Sequence, residues 1–141
     1  MRAVLQRASR ACVTVDGAVT ASFDRQGLVV LLGVTHDDGP AQVDVISRKI
    51  ADLRLLDGER SVEEAGAPVI VVSQFTVYGD ARKGRRPTWN AAAPGPVAEP
   101  LVDAVVASLR ERGIEVGTGV FGAHMDVELV NDGPVTLIVE A

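Results

Sequence analysis

Apolar and polar residues alternate along this chain with two distinct periods, and the period changes at glycine, proline and aspartate. Val13 and Val15 alternate with Thr14 and Asp16, Asp16-Gly17 follows, and Val19 to Phe23 resumes an extended pattern. That is the signature of a hairpin with a tight turn, so the chain opens with antiparallel strands. Gly27 to Thr35 is almost continuously apolar and predicts a buried strand. It ends at His36-Asp37-Asp38-Gly39-Pro40, a stretch of turn and helix-start residues. Val43, Ile46, Ile50 and Leu53 then recur at helical spacing, which predicts an amphipathic helix from Pro40 to about Leu53.

The β-branched run Val69-Ile70-Val71-Val72 predicts a second buried strand, extending to Tyr78. A loop rich in glycine, proline and alanine follows from Gly79 to Pro96; at roughly 18 residues it is longer than compact domains allow without a functional reason. Val102, Val105, Val106 and Leu109 mark a second amphipathic helix closed by Gly113, and strands are expected at about Ile114 to Val120, Ala123 to Val130 and Val135 to Glu140. With no internal repeat and no linker, the 141 residues predict one domain of the α+β class, mainly antiparallel, with two helices packed on sheet.

Charge changes this picture at one place. Nineteen acidic and 14 basic side chains give a formal net charge of −5, whereas a chain that grips nucleic acid along its length has a basic face. Any RNA contact should therefore be local, and Arg82, Lys83, Arg85 and Arg86 form the local cluster, on the loop just after the second buried strand. The single cysteine, Cys12, excludes an intrachain disulfide and suits a reducing compartment. Arg2, Arg7 and Arg10 punctuate the first apolar stretch, unlike a signal peptide, and the run Gly27 to Val34 is too short to span a bilayer. A soluble, cytoplasmic protein is expected.

Two short segments carry candidate chemistry. Ser73-Gln74-Phe75-Thr76 places two hydroxyls and an amide at the end of a buried strand, where an unpaired polar group costs about 1–3 kcal/mol. Such a segment is either a satisfied structural network or the floor of a site. Asn131-Asp132-Gly133-Pro134-Val135-Thr136 lies between two strand-like runs and reads as a hairpin turn, with Pro134 as the first residue of a strand and Gly133-Pro134 a candidate cis bond. The two histidines, His36 and His124, fall in a turn and on the polar face of a strand, and no cluster of Cys, His and carboxylate has ligand spacing. Neither a metal, nor a cofactor, nor a Ser-His-Asp triad is expected.

These stretches occur together and in order: Met1 to Arg7, Gly27 to Val34, Ser73 to Asp80, Lys83-Gly84-Arg85-Arg86-Pro87-Thr88, Thr118 to Met125, and Asn131 to Thr136. The set resembles the D-aminoacyl-tRNA deacylase family over essentially the whole chain. The resemblance implies a barrel-like arrangement of the sheet and hydrolysis of the ester joining a D-amino acid to tRNA, a chiral proofreading step in translation. It implies that Ser73, Gln74, Phe75 and Thr76 wall the pocket with their main-chain N–H groups near the scissile carbonyl. It also implies that Gly133-Pro134 is cis and enters the site of the other subunit of a homodimer, with Arg7 bracing the motif. Arg7 as an ordinary surface strand charge is the competing reading.

Phe121 and Met125 match the family's pocket for the terminal adenine of the aminoacyl-tRNA 3′ end, although both also read as core residues. On a straight strand positions four apart are ~13 Å distant, so a bend at Gly119 or Gly122 is required for both to touch one base. The chain is shorter than the family between Leu56 and Val69, and Trp89 stands where phenylalanine is common. Three functions remain in competition. The first is a hydrolase in which the RNA's own hydroxyl assists and main-chain groups stabilise the oxyanion. The second is an esterase acylated on Ser73 or Thr76, which lacks a visible base. The third is a non-catalytic module for RNA ends.

Overall fold

The structure, a computed structural model, describes residues 1–141. Six strands form one sheet: β1 (Arg2–Val15), β2 (Ala18–Phe23), β3 (Gly27–Gly33), β4 (Val69–Ser73), β5 (Val116–Thr118) and β6 (Asp126–Glu140). Helix α1 (Pro40–Asp52) and a single turn, α2 (Val62–Ala65), join β3 to β4, and α3 (Gly95–Glu111) joins β4 to β5. The long β1 organises the sheet. One edge of it pairs antiparallel with β3 over Arg2 to Ala8 and with β2 over Ala11 to Val15, and its other edge pairs with β6 throughout.

β3 pairs parallel with β4, and β4 parallel with β5, because each connection between them crosses over through helix. The sheet is thus mainly antiparallel, as expected, with a parallel part from β3 to β5. Its ends curl together where β5 meets β2: a β-carbon on Gly117 would lie only 2.7 Å from the Ala21 β-carbon, so glycine lets the seam close. The barrel-like arrangement is present.

Alternation along β3 and β4 divides the core. Leu28, Val30, Leu32, Val69 and Val71 face α1 and α3, packing against Val43, Ile46, Ile50, Val105 and Leu109. Val29, Ile70 and Val72 face the interior of the curled sheet with Ala8, Ala11, Val13 and Phe23. β1 serves both layers: Ala3 and Leu5 lie on the helix side, Ala11 and Val13 on the inner side. Same-parity positions reach opposite layers because the ladder with β6 slips on either side of Ala8.

Five sequence expectations need correction. The second buried strand stops at Ser73 and Phe75–Tyr78 is a 3-10 turn. Its room comes from Gly33, where a β-carbon would press on Val77 and Tyr78 at 3.0 and 3.1 Å. The loop ends at Pro94 and the second helix begins at Gly95, earlier than expected, with proline in its first turn where no amide is needed. A third helix, α2, is present: Ser61 and Glu64 form a reciprocal capping box and Gly66, at φ +61°, ends the turn.

Last, Asn131 to Thr136 is not a hairpin. Both flanking runs pair with β1, as one strand, and Asp132 to Val135 bulge out opposite the single residue Arg7. The strand expected from Ile114 to Val120 is correspondingly short, since Val120 to Ala123 forms a turn with Gly122 at φ +75°.

Candidate active site

Where β4 stops, the chain leaves the sheet and opens a cavity of about 290 Å³. Ser73 to Thr76 form one wall, Phe121 to Ala123 and Met125 another, and Leu32, Val34, Ala98 and Val102 the apolar floor. The turn at Val120–Ala123 is the bend that puts Phe121 and Met125 on one cavity, and Gly119 lets Met125 fold back, since a β-carbon there would lie on its sulfur. Both side chains are half-buried.

The polar equipment of this cavity is mostly backbone. The Gln74 amide still donates to the Leu32 carbonyl (2.8 Å), the last rung carried over from the sheet. Phe75 and Thr76 then open the 3-10 turn, so their amides have no carbonyl one turn back, and no side chain caps the turn. Gln74 Nε2 donates to Thr76 Oγ1 (2.9 Å), which ties two of the polar side chains together. None of the 14 residues lining the cavity is an acid, a base or a thiol. Ser73 and Thr76 therefore have no proton acceptor beside them in this wall.

Arg2 holds the far end of the turn. Its Nη1 donates to the Val77 carbonyl (2.9 Å) and its guanidinium lies over the Tyr78 ring, 4.7 Å from the centroid. Partial burial raises the Tyr78 pKa, so the ring stays a neutral surface for that cation. Sequence reasoning assigned Arg2 no role in the site; its spacing from Tyr78 carries no signal that pairs them.

Gly133-Pro134 is a cis peptide, exposed, and outside the cavity of its own chain. It is held from behind. Arg7 donates from Nε to the Asp132 carbonyl (3.1 Å) and from Nη1 to the Leu55 carbonyl (2.9 Å). Gln26 donates to the Asp132 carboxylate (2.8 Å) and accepts from the Asp57 amide (2.9 Å). Asn131 Nδ2 spans the bulge, donating to the carbonyls of Arg7 and Val135, both at 2.9 Å. Arg7 is largely buried, its guanidinium turned onto the bulge rather than to solvent. Leu55 and Asp57 were missed because they serve through backbone, and Gln26 because it reaches the motif from the bend between β2 and β3.

The basic cluster forms the tip of the loop between the 3-10 turn and α3. Asp80 and Thr88 exchange amide and carbonyl bonds at 2.9 Å, closing a neck from which residues 81–87 project. Arg82 folds back on Asp80 with bonds of 2.9 and 2.6 Å, and these bonds pull the Asp80 pKa down to about 2. Lys83, Arg85 and Arg86 are exposed and in no ion pair. They stand clear of the cavity itself. His36 Nε2 contacts the Asn90 carbonyl (2.7 Å) and His124 is exposed; neither reaches the cavity.

Comparison with known proteins bears on this geometry. The family model described as D-Tyr-tRNA(Tyr) deacylase matches residues 4–140. A Kineococcus radiotolerans protein named D-aminoacyl-tRNA deacylase is 66% identical over 141 residues, covering all of both chains. One of the same name from Thermobifida fusca is 62% identical over 140 residues, 99% of each chain. The solved structure of the c-Myc DNA unwinding element binding protein superposes with a TM-score of 0.91 at 35% identity, covering 100% of this chain and 99% of that one. With the family model matched from the first strand to the last, this chain belongs to the D-Tyr-tRNA(Tyr) deacylase family.

Proposed function

We propose that this protein hydrolyses the ester bond of D-aminoacyl-tRNA, releasing the free amino acid and tRNA, and so removes D-residues before translation can use them. The observation that carries the reading is the cavity wall at Phe75 and Thr76. It offers main-chain donors and no acid or base, in a chain whose relatives bear the deacylase name. An aminoacyl ester is already labile. Water adds at the carbonyl carbon, the bond to the ribose 3′ oxygen breaks, and that oxygen takes a proton. The neighbouring ribose hydroxyl assists while the amides of Phe75 and Thr76 hold the developing oxyanion. Phe121 and Met125 take the terminal adenine, and Lys83, Arg85 and Arg86 meet backbone phosphates near the acceptor end.

Chirality is filtered by a wall supplied in trans. In a homodimer, Gly133-Pro134 of one subunit enters the cavity of the other; its carbonyls capture the substrate amino group and leave no volume for an L side chain, whereas a D side chain points outward. Three features support this: the motif is exposed, it lies outside its own cavity, and Arg7 and Asn131 hold it rigid. The exposed Val130, Leu137 and Ile138 lie along β6, which pairs only with β1, and offer apolar surface at that edge to a second copy. Such an enzyme works in the cytoplasm, where tRNA is charged, and no helix of the chain is long and apolar enough to cross a membrane. Incubation with D- and L-aminoacyl-tRNA tests the reading: the D-ester should be cleaved and the L-ester spared. Cleavage of neither leaves an RNA-end binding module.

A further inference from the structure

Trp89 is the only tryptophan, and it is 43% exposed at the rim of the candidate active site. Its position is built. Gly79 has φ −63° and ψ 134°, which any residue can adopt, so its backbone does not call for glycine. Space does: a β-carbon on Gly79 would come within 2.7 Å of Trp89 Cζ3. The missing side chain lets the indole sit down on the turn. There it meets Phe75 edge to face, with centroids 5.4 Å apart and planes at 81°. Phe75 is itself 57% exposed while lining the cavity. The aromatic pair thus runs from the cavity mouth to the neck at Thr88, and beyond that neck stand the unpaired Lys83, Arg85 and Arg86.

Half-exposed aromatic rings beside free cations, on a chain of net charge −5, are what a single strand of nucleic acid recognises: bases stack on the rings and phosphates follow the charge. We propose that Trp89, backed by Phe75, is a stacking platform for the base that precedes the terminal adenosine, so that the enzyme grips two successive unpaired nucleotides. This rests on the reading above, in which the terminal adenine sits between Phe121 and Met125. The order of features along the rim fixes the direction of the strand, from the adenine pocket past Phe75 and Trp89 to the cations.

The single tryptophan makes the test direct. Unacylated oligoribonucleotides ending in CCA, and adenosine alone, are titrated against the full-length protein while Trp89 emission is followed. An independent binding measurement, such as calorimetry, accompanies each titration. The oligonucleotide should quench the emission saturably and adenosine should not. Trp89→Leu should weaken the oligonucleotide by about ten- to a hundredfold, the range of one base stack, and leave adenosine affinity unchanged. Trp89→Phe should restore most of the loss. Phe121→Ala, by contrast, should weaken adenosine; if it does not, the adenine pocket is misassigned, whatever Trp89 does. The platform is overturned if the oligonucleotide binds without changing Trp89 emission, or if Trp89→Leu weakens adenosine and oligonucleotide alike. It is equally overturned if Trp89→Leu leaves oligonucleotide affinity intact and lowers only the preference for D-tyrosyl over D-alanyl ester, for then the ring serves the amino acid side chain.

Discussion

The guanidinium of Arg7 occupies the space that a side chain at position 133 would need: a β-carbon on Gly133 would lie 2.9 Å from Arg7 Nη2 and 3.0 Å from Val135 Cγ2. With φ at +122°, the backbone of Gly133 is also one that other residues rarely adopt. Gly133→Ala should therefore shift the bulge at a cost of about 1–3 kcal/mol locally, and deacylation of D-aminoacyl-tRNA should fall at least about tenfold. Arg7→Ala should act in the same direction, and Arg7→Lys should rescue little, because an ammonium lacks the fork that reaches two carbonyls at once. Single-turnover rates beside melting curves check this; full activity in Gly133→Ala would refute the trans wall.

Ser73 and Thr76 have hydroxyls in the cavity but no base beside them. Ser73→Ala and Thr76→Ala should each retain deacylation within about tenfold of the parent, a loss smaller than removal of a nucleophile brings. Thr76→Ala also removes the acceptor of the Gln74 side chain, so it should be the slower of the two. Abolition of turnover in either variant, with an acyl-enzyme trapped in the parent, would favour the side-chain nucleophile.

The cations at the loop tip should act through phosphate alone. Neutralising Lys83, Arg85 and Arg86 together should weaken tRNA binding and flatten its salt dependence by ~0.7–0.9 in slope for each phosphate left without its cation. Arg82 holds Asp80 far below the usual carboxylate range, so that pair persists as pH falls and breaks only near its lowered pKa of about 2. The slope should accordingly be the same at about pH 5 and about pH 8, since the Asp80–Arg82 pair stays closed across that range. An unchanged slope in the triple variant would leave the tip merely solvated.

A wall that excludes L side chains, without gripping D ones, has nothing to reject in glycine. Glycyl-tRNA should be cleaved along with D-aminoacyl-tRNA, and L-alanyl-tRNA spared, because one methyl already strikes the wall. Deacylation of the three esters by one preparation decides it: survival of the glycyl ester would mean that the D side chain is held by positive contact.

Ser47 on α1 is 1% exposed and its Oγ finds no hydrogen-bond partner. A hydroxyl buried unpaired costs about 1–3 kcal/mol, so Ser47→Ala should stabilise the fold by roughly 1 kcal/mol with activity unchanged. Urea denaturation of the two proteins measures it.

Much of this architecture is legible in the residues. The alternation through Val13 and Val15, the helical spacing of Val43, Ile46 and Ile50, and the runs at Gly27 and Val69 all mark elements that the structure contains. What the pattern hides is pairing. Nothing in the apolar run from Gly27 distinguishes an antiparallel partner on one edge from a parallel one on the other. The residues 131–136 look like a turn because Asp-Gly-Pro suits a turn; that both flanks pair with β1 is a property of β1. The end of β4 at Ser73 is likewise set from outside, by the space above Gly33. Local polarity marked the cavity wall at Ser73 to Thr76, but the braces at Gln26, Leu55 and Asp57 are long-range and leave no local trace.

The amides that open the turn at Phe75 and Thr76 have a genetic consequence. A side chain can be erased by almost any missense change, but a main-chain N–H belongs to every coded residue except proline. A mutation can crowd or tilt such a donor; only one of the 19 alternatives at either codon deletes it. Proline at the first position of a helical turn is conformationally acceptable, and Gln74 before it is extended, so a Phe75→Pro chain can lose that donor while keeping its path. The information for this wall is therefore stored in the path of the backbone, and random substitution reaches it chiefly through the glycines that shape that path, such as Gly33 and Gly79.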